Sequence, residues 1–331
     1  MAGTGLGRAK PPELRSSVQL PLPTTSPAAT VPGMTQPLES PGRLGVWTWS
    51  DGFSPAEAVD FAHRLEGWGY STLWTPEAVG RDPFTFIGYL AGQTERLIFA
   101  TGIANIYARD AMTTKAIRKT LSGMLPARFI LGLGVSHPHL VSKVRGHEWR
   151  PPLEKMREYL DAVESALYMG PEPEVEAPIV IAALRPKMLA LAGEKARGAH
   201  PYLVTPEHTR RAREILGGDR WLCTEQKLIL TTDAEKAREL ARGHLKQYLR
   251  APNYQNSLRE IGFEDSDWEE GGGSDRLVDA LVAWGDEGAL RERIQKHWDA
   301  GADHVCVQPF RTDGKPGPCL DTLEKLADLN A

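Results

Sequence analysis

The chain has 331 residues, of which 41% are hydrophobic and 25% are charged, values that are ordinary for a globular protein. Its formal net charge is -4 and no basic patch is evident, which argues against a nucleic-acid-binding protein. No apolar run approaches the roughly 18 residues of a membrane span, and no secretory signal is evident. The three cysteines have no metal-like spacing and are expected to be free thiols in a reducing cytoplasm.

Residues 1–41 differ in composition from the rest of the chain, because Pro, Thr, Ser, Ala and Gly dominate them. Such a segment buries too little apolar surface to offset its ordering entropy, so we predict a disordered tail over residues 1–41. Residues 42–331 are then the folded domain.

A regular alternation of apolar strands and helices begins at Leu44. Buried parallel strands are typically continuous apolar runs, and Ser, Asp or Thr followed by Pro is typical of a helix start. Strands are predicted at 44–49, 71–74, 97–104, 129–134, 179–183, 198–203, 225–231 and 304–308. Helices are predicted from 54, at 82–91, 111–125, 153–167, 186–194, 206–216, 233–248, 275–284, 287–300 and 320–329. A loop-rich insertion is expected at 250–274.

Eight strands, each followed by a helix, predict an α/β fold of the (β/α)8 TIM-barrel type, with an insertion after strand seven and its helix. A doubly wound open sheet is the alternative, but the first strand leads into Ser50-Asp51-Gly52-Phe53 without a glycine-rich dinucleotide turn.

Active sites of such barrels lie at the C-terminal ends of the strands. Those ends carry small, aromatic and uncharged polar groups, and Glu77 is the one obvious acid among them. The residues at these positions are Thr48, Trp49, Thr75, Glu77, Gly102, Ile103, Asn105, Ser136, His137, Leu184, Arg185, Lys187, His200, Tyr202 and Gln308.

Two of these strand ends suggest particular ligands. His137-Pro138-His139 resembles a metal pair, although a metal-dependent hydrolase needs further ligands at other strand ends. Arg185 and Lys187 stand at a helix start, where free N–H groups favour phosphate; a solvated charged helix start is the alternative.

Taken in order, the strand ends resemble the bacterial-luciferase-like superfamily, and specifically its coenzyme F420-dependent oxidoreductases. The resemblance covers about residues 44–329 and is carried by motifs at several strand ends. These are G-V-W-T from Gly45, L-W-T-P-E-A-V-G-R-D-P-F from Leu73, A-T-G-I-A-N-I-Y-A-R-D from Ala100, R-F-I-L-G-L-G-V-S-H-P from Arg128, P-K-M-L from Pro186 and G-A-H-P-Y-L-V-T-P-E-H from Gly198.

The resemblance implies a bulge in strand three with a non-prolyl cis peptide at Gly102–Ile103, which would support one face of the deazaflavin ring. It also implies that the strand-five loop binds the cofactor phosphate. The cofactor-binding residues are then expected to be Thr48, Thr75, Gly102, Ile103, Asn105, Ser136, Leu184, Arg185, Lys187 and His200.

This chain departs from some relatives at two positions. An Asp-His pair that supplies the acid or base after strand two is replaced by Thr75-Pro76, so that assignment does not transfer. Arg185 stands where relatives often have Gly.

The sequence therefore predicts a cytoplasmic oxidoreductase that moves a hydride between coenzyme F420 and a small organic substrate, with Glu77 or His137 handling the proton. Neither nucleic acid nor a membrane is an expected partner, and a homodimer is left open. An FMN-dependent monooxygenase, a non-catalytic flavin- or ligand-binding barrel and a metal-dependent hydrolase remain the alternatives.

Overall fold

The structure, a computed structural model, describes residues 37–268 and 272–330. Ten strands occur in this part of the chain: β1 Leu44–Trp47, β2 Thr72–Thr75, β3 Ile98–Thr101, β4 Ala104–Asn105, β5 Phe129–Gly134, β6 Ile179–Ile181, β7 Gly198–Ala199, β8 Trp221–Leu230, β9 Val282–Gly285 and β10 His304–Phe310. All pairings between these strands are parallel, and β10 pairs with both β1 and β8. The sheet therefore closes, and the predicted (β/α)8 barrel is confirmed.

The helices run between the strands and cover the outside of the barrel. They are α1 Pro55–Gly67, α2 Pro83–Ala91, α3 Ala111–Met124, α4 Pro152–Ser165, α5 Pro186–Lys195, α6 Pro206–Leu216, α7 Ala234–Leu245, α8 Pro252–Glu260, α9 Asp275–Leu281, α10 Glu287–Asp299 and α11 Leu320–Lys325, with a π-helical turn at His139–Val144 and 3-10 turns at Asp265–Asp267 and Ala327–Asn330. None of the described helices is long and apolar enough to cross a membrane.

Local signals account for most helix starts. Ser54 and Glu57 form a reciprocal capping box at α1, and Asp82, Asp110, Thr205 and Asp233 each accept a hydrogen bond from the third residue of their helix. Each cap satisfies a backbone N–H that has no partner within the helix.

Three sequence predictions near β8 are wrong. The strand predicted at 225–231 begins at Trp221, because β8 pairs with β7 at its start, with β10 along its length and with β9 at its end. The helix predicted at 275–284 ends at Leu281, and Val282–Gly285 forms β9 beside residues 227–230. The insertion at 250–274 contains α8 and a 3-10 turn where loops were expected.

The barrel interior is aromatic and contains buried histidines. Trp47, Trp74, Trp221 and the thiols of Cys223 and Cys306 belong to one buried cluster. Trp74 donates from Nε1 to His304 Nε2 at 2.9 Å, and His304 Nδ1 lies 2.7 Å from the Gly42 carbonyl oxygen. Burial lowers the pKa of His304 to about 4, so this ring is neutral at neutral pH and Nδ1 donates.

Residues 37–41, which the sequence analysis assigned to the tail, contact the barrel. Leu38 packs against the interior cluster, the Glu39 carbonyl accepts from Trp221 Nε1 at 3.2 Å, and the Pro41 carbonyl accepts from the Thr72 hydroxyl at 2.6 Å. The sequence analysis therefore placed the boundary between the tail and the folded domain too far along the chain. The rest of the predicted tail, residues 1–36, lies outside the described residues.

Two deletions separate these segments. Removing residues 1–36 should leave the melting temperature unchanged, because their composition predicts no core contribution. Removing residues 1–41 should lower it by several degrees, because the buried Thr72 hydroxyl loses its acceptor at a cost of about 1–3 kcal/mol. Calorimetry of both proteins checks this, and equal melting temperatures for the two deletions would contradict it.

Candidate active site

The strand-three bulge lies at the C-terminal end of the barrel. β3 stops at Thr101, the Gly102–Ile103 peptide is cis as the resemblance implies, and β4 then resumes the pairing with β5. The Gly102 carbonyl accepts from Trp47 Nε1 at 2.7 Å, and the Ile103 carbonyl accepts from the Glu77 backbone N–H at 3.2 Å. Both carbonyls of the bulge are thus held by neighbouring strand ends.

Glycines allow the elements at this end of the barrel to pack closely against one another. A Cβ atom at Gly102 would lie 2.8 Å from Trp47 Nε1, one at Gly132 would lie 1.8 Å from the Thr101 carbonyl oxygen, and one at Gly134 would lie 2.3 Å from Ile103 Cδ1. Contacts this short do not occur in folded proteins. The bulge and β5 can therefore approach each other only because these positions lack side chains.

The carboxylate of Glu77, the predicted acid, already has hydrogen-bond partners within the protein. Its carboxylate accepts from the Asn105 backbone N–H at 2.8 Å and from Arg109 Nη1 at 2.9 Å, and its side chain is only 6% exposed. Arg109 also pairs with Asp82. This geometry favours a role in holding β4 over proton transfer.

His137, the other predicted acid or base, lies at the mouth of the barrel under the insertion. It is half-buried, forms a side-chain hydrogen bond with Asn253, and its ring centroid is 5.7 Å from that of Tyr254 on α8. Burial lowers its pKa, and the Asn253 contact opposes this effect only partly. His137 is therefore neutral at neutral pH, and its catalytic role stays a prediction.

The remaining predicted polar residues of the mouth mostly have partners within the protein. The Thr75 hydroxyl donates to the Ala100 carbonyl at 3.3 Å, and Asn105 Oδ1 accepts from the Tyr107 N–H at 2.9 Å. Thr48 is buried, with its hydroxyl 3.4 Å from the Trp49 carbonyl. Ser136 has a φ of 63°, a left-handed conformation that is uncommon for residues other than glycine.

The predicted phosphate site lies at the start of α5. Arg185 is the residue before the helix, Lys187 follows in the first turn, and the Leu184 carbonyl accepts from His208 Nε2 at 2.6 Å. Arg185 Nε lies 2.9 Å from Glu260 Oε1, and its side chain is 55% exposed. Glu260 is the last residue of α8, so the insertion reaches this helix start and pairs with one of its two cations.

His200 differs from the other predicted residues because one of its ring nitrogens has no partner. Its ring stacks on Trp74 with a centroid distance of 4.5 Å, and Nδ1 lies 2.8 Å from the Cys223 carbonyl oxygen. Burial lowers its pKa to about 4, so the ring is neutral, Nδ1 donates and Nε2 is a bare acceptor. A buried acceptor without a partner is costly unless a ligand or water satisfies it.

Sequence reasoning missed a charged pair on β8. Lys227 Nζ lies 3.0 and 3.1 Å from the two carboxylate oxygens of Glu225, and the side chains are 0% and 1% exposed. Glu225 stood at the start of the predicted strand, away from the functional end. The sequence did contain a signal for this pair: Glu225 and Lys227 have opposite charges and lie two positions apart in an apolar run. Alternate residues of a strand share a face, so these two side chains were placed to meet.

A concave region lies outside the barrel, between the starts of α3 and α4. It has a volume of about 490 Å³ and is lined by side chains that include Tyr107, His147, Lys155 and Tyr159. None of the residues predicted to bind the cofactor or to handle the proton lines this region. Nowhere in residues 37–268 and 272–330 do three or more His, Cys, Asp or Glu side chains form a group that could hold a metal ion.

The chain belongs to the luciferase-like monooxygenase family, whose model matches residues 38–304. This confirms the superfamily resemblance inferred from the strand ends. Among individual relatives, the chain is 27% identical over 241 residues to a putative coenzyme F420-dependent oxidoreductase of Mycobacterium tuberculosis, which covers 59% of this chain and 67% of that protein.

Solved structures share the fold at lower identity. The coenzyme F420-dependent tetrahydromethanopterin reductase of Methanopyrus kandleri superposes with a TM-score of 0.71 at 17% identity, covering 86% of this chain and 97% of that one. An FMN-bound type II Baeyer–Villiger monooxygenase of Pseudomonas putida gives a TM-score of 0.63 at 16% identity, covering 86% and 96%. Enzymes that use either cofactor thus share this barrel.

The close packing around Gly102 predicts that a side chain at this position lowers the stability of the protein. Gly102→Ala should lower the free energy of unfolding by about 1–3 kcal/mol, because its Cβ forces the buried Trp47 indole away from the bulge. Gly123→Ala is the matched control, since Gly123 lies in α3 with no atom near the added Cβ, and it should be neutral or stabilising by up to about 1 kcal/mol. Denaturant unfolding of both variants checks this; equal losses would contradict the proposed close contact.

Proposed function

We propose that this protein is a coenzyme F420-dependent oxidoreductase that moves a hydride between the deazaflavin and a small organic substrate. The observation that carries the proposal is the glycine-lined bulge at the barrel mouth, where Gly102 is fixed by the Trp47 indole. This packing fixes the backbone of the bulge, and Ile103, which is only partly buried, offers a surface against which a flat ring can lie. The relative named as a putative F420-dependent oxidoreductase supports the choice of cofactor.

The residues present fit such a cofactor in two further respects. The bare Nε2 of His200 offers a buried acceptor that a ring N–H could satisfy. The N–H groups at the start of α5, with Arg185 and Lys187, suit a phosphate, because a helix N-terminus carries a partial positive charge. We therefore assign the ring to the bulge and the phosphate to the start of α5.

The deazaflavin, when bound, supplies the carbon that carries the hydride. The protein's part is to hold the ring against the bulge, to exclude water and to handle a proton. Tyr254 on α8 lies near both His137 and Tyr202, with ring centroids at 5.7 and 6.5 Å, so the insertion encloses the mouth. A dry mouth protects a reduced cofactor from side reactions.

An FMN-dependent monooxygenase is the second candidate, because the FMN-bound structure named above has the same barrel. Titration of the purified protein with coenzyme F420 and with FMN tests the choice. We expect the deazaflavin to bind at least tenfold more tightly. Tighter binding of FMN would favour the monooxygenase, and binding of neither would contradict both.

The phosphate assignment has its own test. Replacing both Arg185 and Lys187 by Ala should weaken F420 binding by about tenfold or more, and the loss should shrink at high salt because charge attraction is screened. The matched control replaces Arg210 and Lys296, which pair with acids on α6 and α10. If both double variants bind the cofactor equally well, the phosphate lies elsewhere.

A further inference from the structure

The proposed function assigns no role to the buried Lys227–Glu225 pair on β8. Trp221 and Cys223 on β8 belong to the interior cluster. Glu225 and Lys227 continue the same alternate positions along β8, so they also face the barrel interior, closer to the mouth. The Glu225 carboxylate also accepts from the Leu203 N–H at 3.1 Å. Buried ion pairs seldom stabilise a fold more than apolar side chains of similar size, so this pair points to a function.

Tyr202 connects the pair to the mouth. The Lys227 Nζ lies 3.8 Å from the centroid of the Tyr202 ring. The Tyr202 hydroxyl is within hydrogen-bond distance, 3.1 Å in each case, of the Tyr248 hydroxyl and of Gln308 Oε1. Tyr202 is only half-buried, in contrast to Lys227 beneath it. Tyr248 is half-buried as well, so the two tyrosines form the side of this group that a substrate can reach.

Trp47 contacts both Tyr202 and the bulge. The Tyr202 and Trp47 ring centroids are 5.1 Å apart, and the same Trp47 indole donates to the Gly102 carbonyl. Tyr202 and Gly102 therefore contact the same indole. This shared contact places Tyr202 next to the part of the bulge to which we assign the ring.

We propose that the Tyr202 hydroxyl is the proton donor of the reaction, that Lys227 is the residue that positions and polarises it, and that the substrate is an aldehyde or ketone. This rests on the proposed function and takes the reduced deazaflavin as the hydride donor. The hydride forms a C–H bond at the carbonyl carbon as the C=O π bond breaks. The oxygen takes the Tyr202 proton, the deazaflavin is oxidised, and solvent returns a proton to the phenolate.

The charges around Tyr202 explain why a lysine is needed. The groups that face it are Lys227 and Glu225 on β8, Tyr248 after α7, and Tyr254 on α8. Burial raises the pKa of Tyr202 well above its usual value, and the neighbouring tyrosines and Glu225 act in the same direction. The phenol is therefore protonated at rest. Burial lowers the pKa of Lys227, and the adjacent Glu225 carboxylate opposes this effect by favouring the ammonium form. As an ammonium over the ring, Lys227 stabilises the negative charge that develops when the proton leaves.

The main test compares Tyr202→Phe with wild-type protein loaded with reduced F420, using a panel of small aldehydes and ketones. The single-turnover rate, followed by the absorbance of the oxidised cofactor, should fall by about 10²- to 10⁴-fold. The dissociation constant of the reduced cofactor, measured without substrate, should stay unchanged. Tyr70→Phe is the matched control with an unchanged rate, since this buried hydroxyl donates to the Leu323 carbonyl outside the barrel interior.

A second comparison separates proton donation from packing. Incorporation of 3-fluorotyrosine, which has a more acidic phenol, should change the single-turnover rate of the wild-type sequence and leave that of Tyr202→Phe unchanged. The double variant E225Q/K227M, which leaves no unpaired buried charge, should fold and lose rate by about tenfold or more. The same response to 3-fluorotyrosine in wild-type protein and Tyr202→Phe, or full activity of either Tyr202→Phe or the double variant, would overturn the assignment.

The failures are distinguishable from one another. If wild-type protein does not bind F420, the proposed function itself is wrong. If it binds the reduced cofactor but no aldehyde or ketone in the panel oxidises it, the substrate class is wrong.

Discussion

A single buried hydrogen bond, from the Trp47 indole to the Gly102 carbonyl, fixes the relation between strand one and the bulge of strand three. Its length is 2.7 Å, and Trp47 is only 3% exposed. Because an unpaired buried N–H costs about 1–3 kcal/mol, the indole and the bulge hold each other in place. The shape of the mouth follows, since Tyr202 packs on the same indole and Glu77 supports the far side of the bulge.

The two ends of the barrel have different roles. At the N-terminal end, residues 38–42 close the interior through contacts with Trp221, Thr72 and His304. At the C-terminal end, glycines allow the bulge to pack closely against Trp47 and β5, and half-buried residues such as Ile103, His137 and Tyr202 border the mouth. Such a division is usual in TIM barrels, where one end stabilises the fold and the other carries the chemistry.

Local sequence signals were enough for the barrel but not for the chemistry of its mouth. Capping residues such as Ser54 and Asp82, and continuous apolar strands, are encoded within a few positions, and so they were predictable. β9 was missed because Val282–Gly285 continues the apolar pattern of α9, and only its pairing with β8 makes it a strand. Glu77 forms an ion pair with Arg109, which lies 32 residues further along the chain. Lys227 lies under the Tyr202 ring only because the barrel closes. Such partners are distant in sequence, and no local pattern reveals them.

The most direct test of this account is a crystal structure of the protein with bound coenzyme F420. The account predicts the deazaflavin ring against the Gly102–Ile103 backbone beside Trp47, with its phosphate at the start of α5 and the Tyr202 hydroxyl facing the space beside the ring. A ring bound instead in the region between α3 and α4, near Tyr107 and Lys155, would contradict the account.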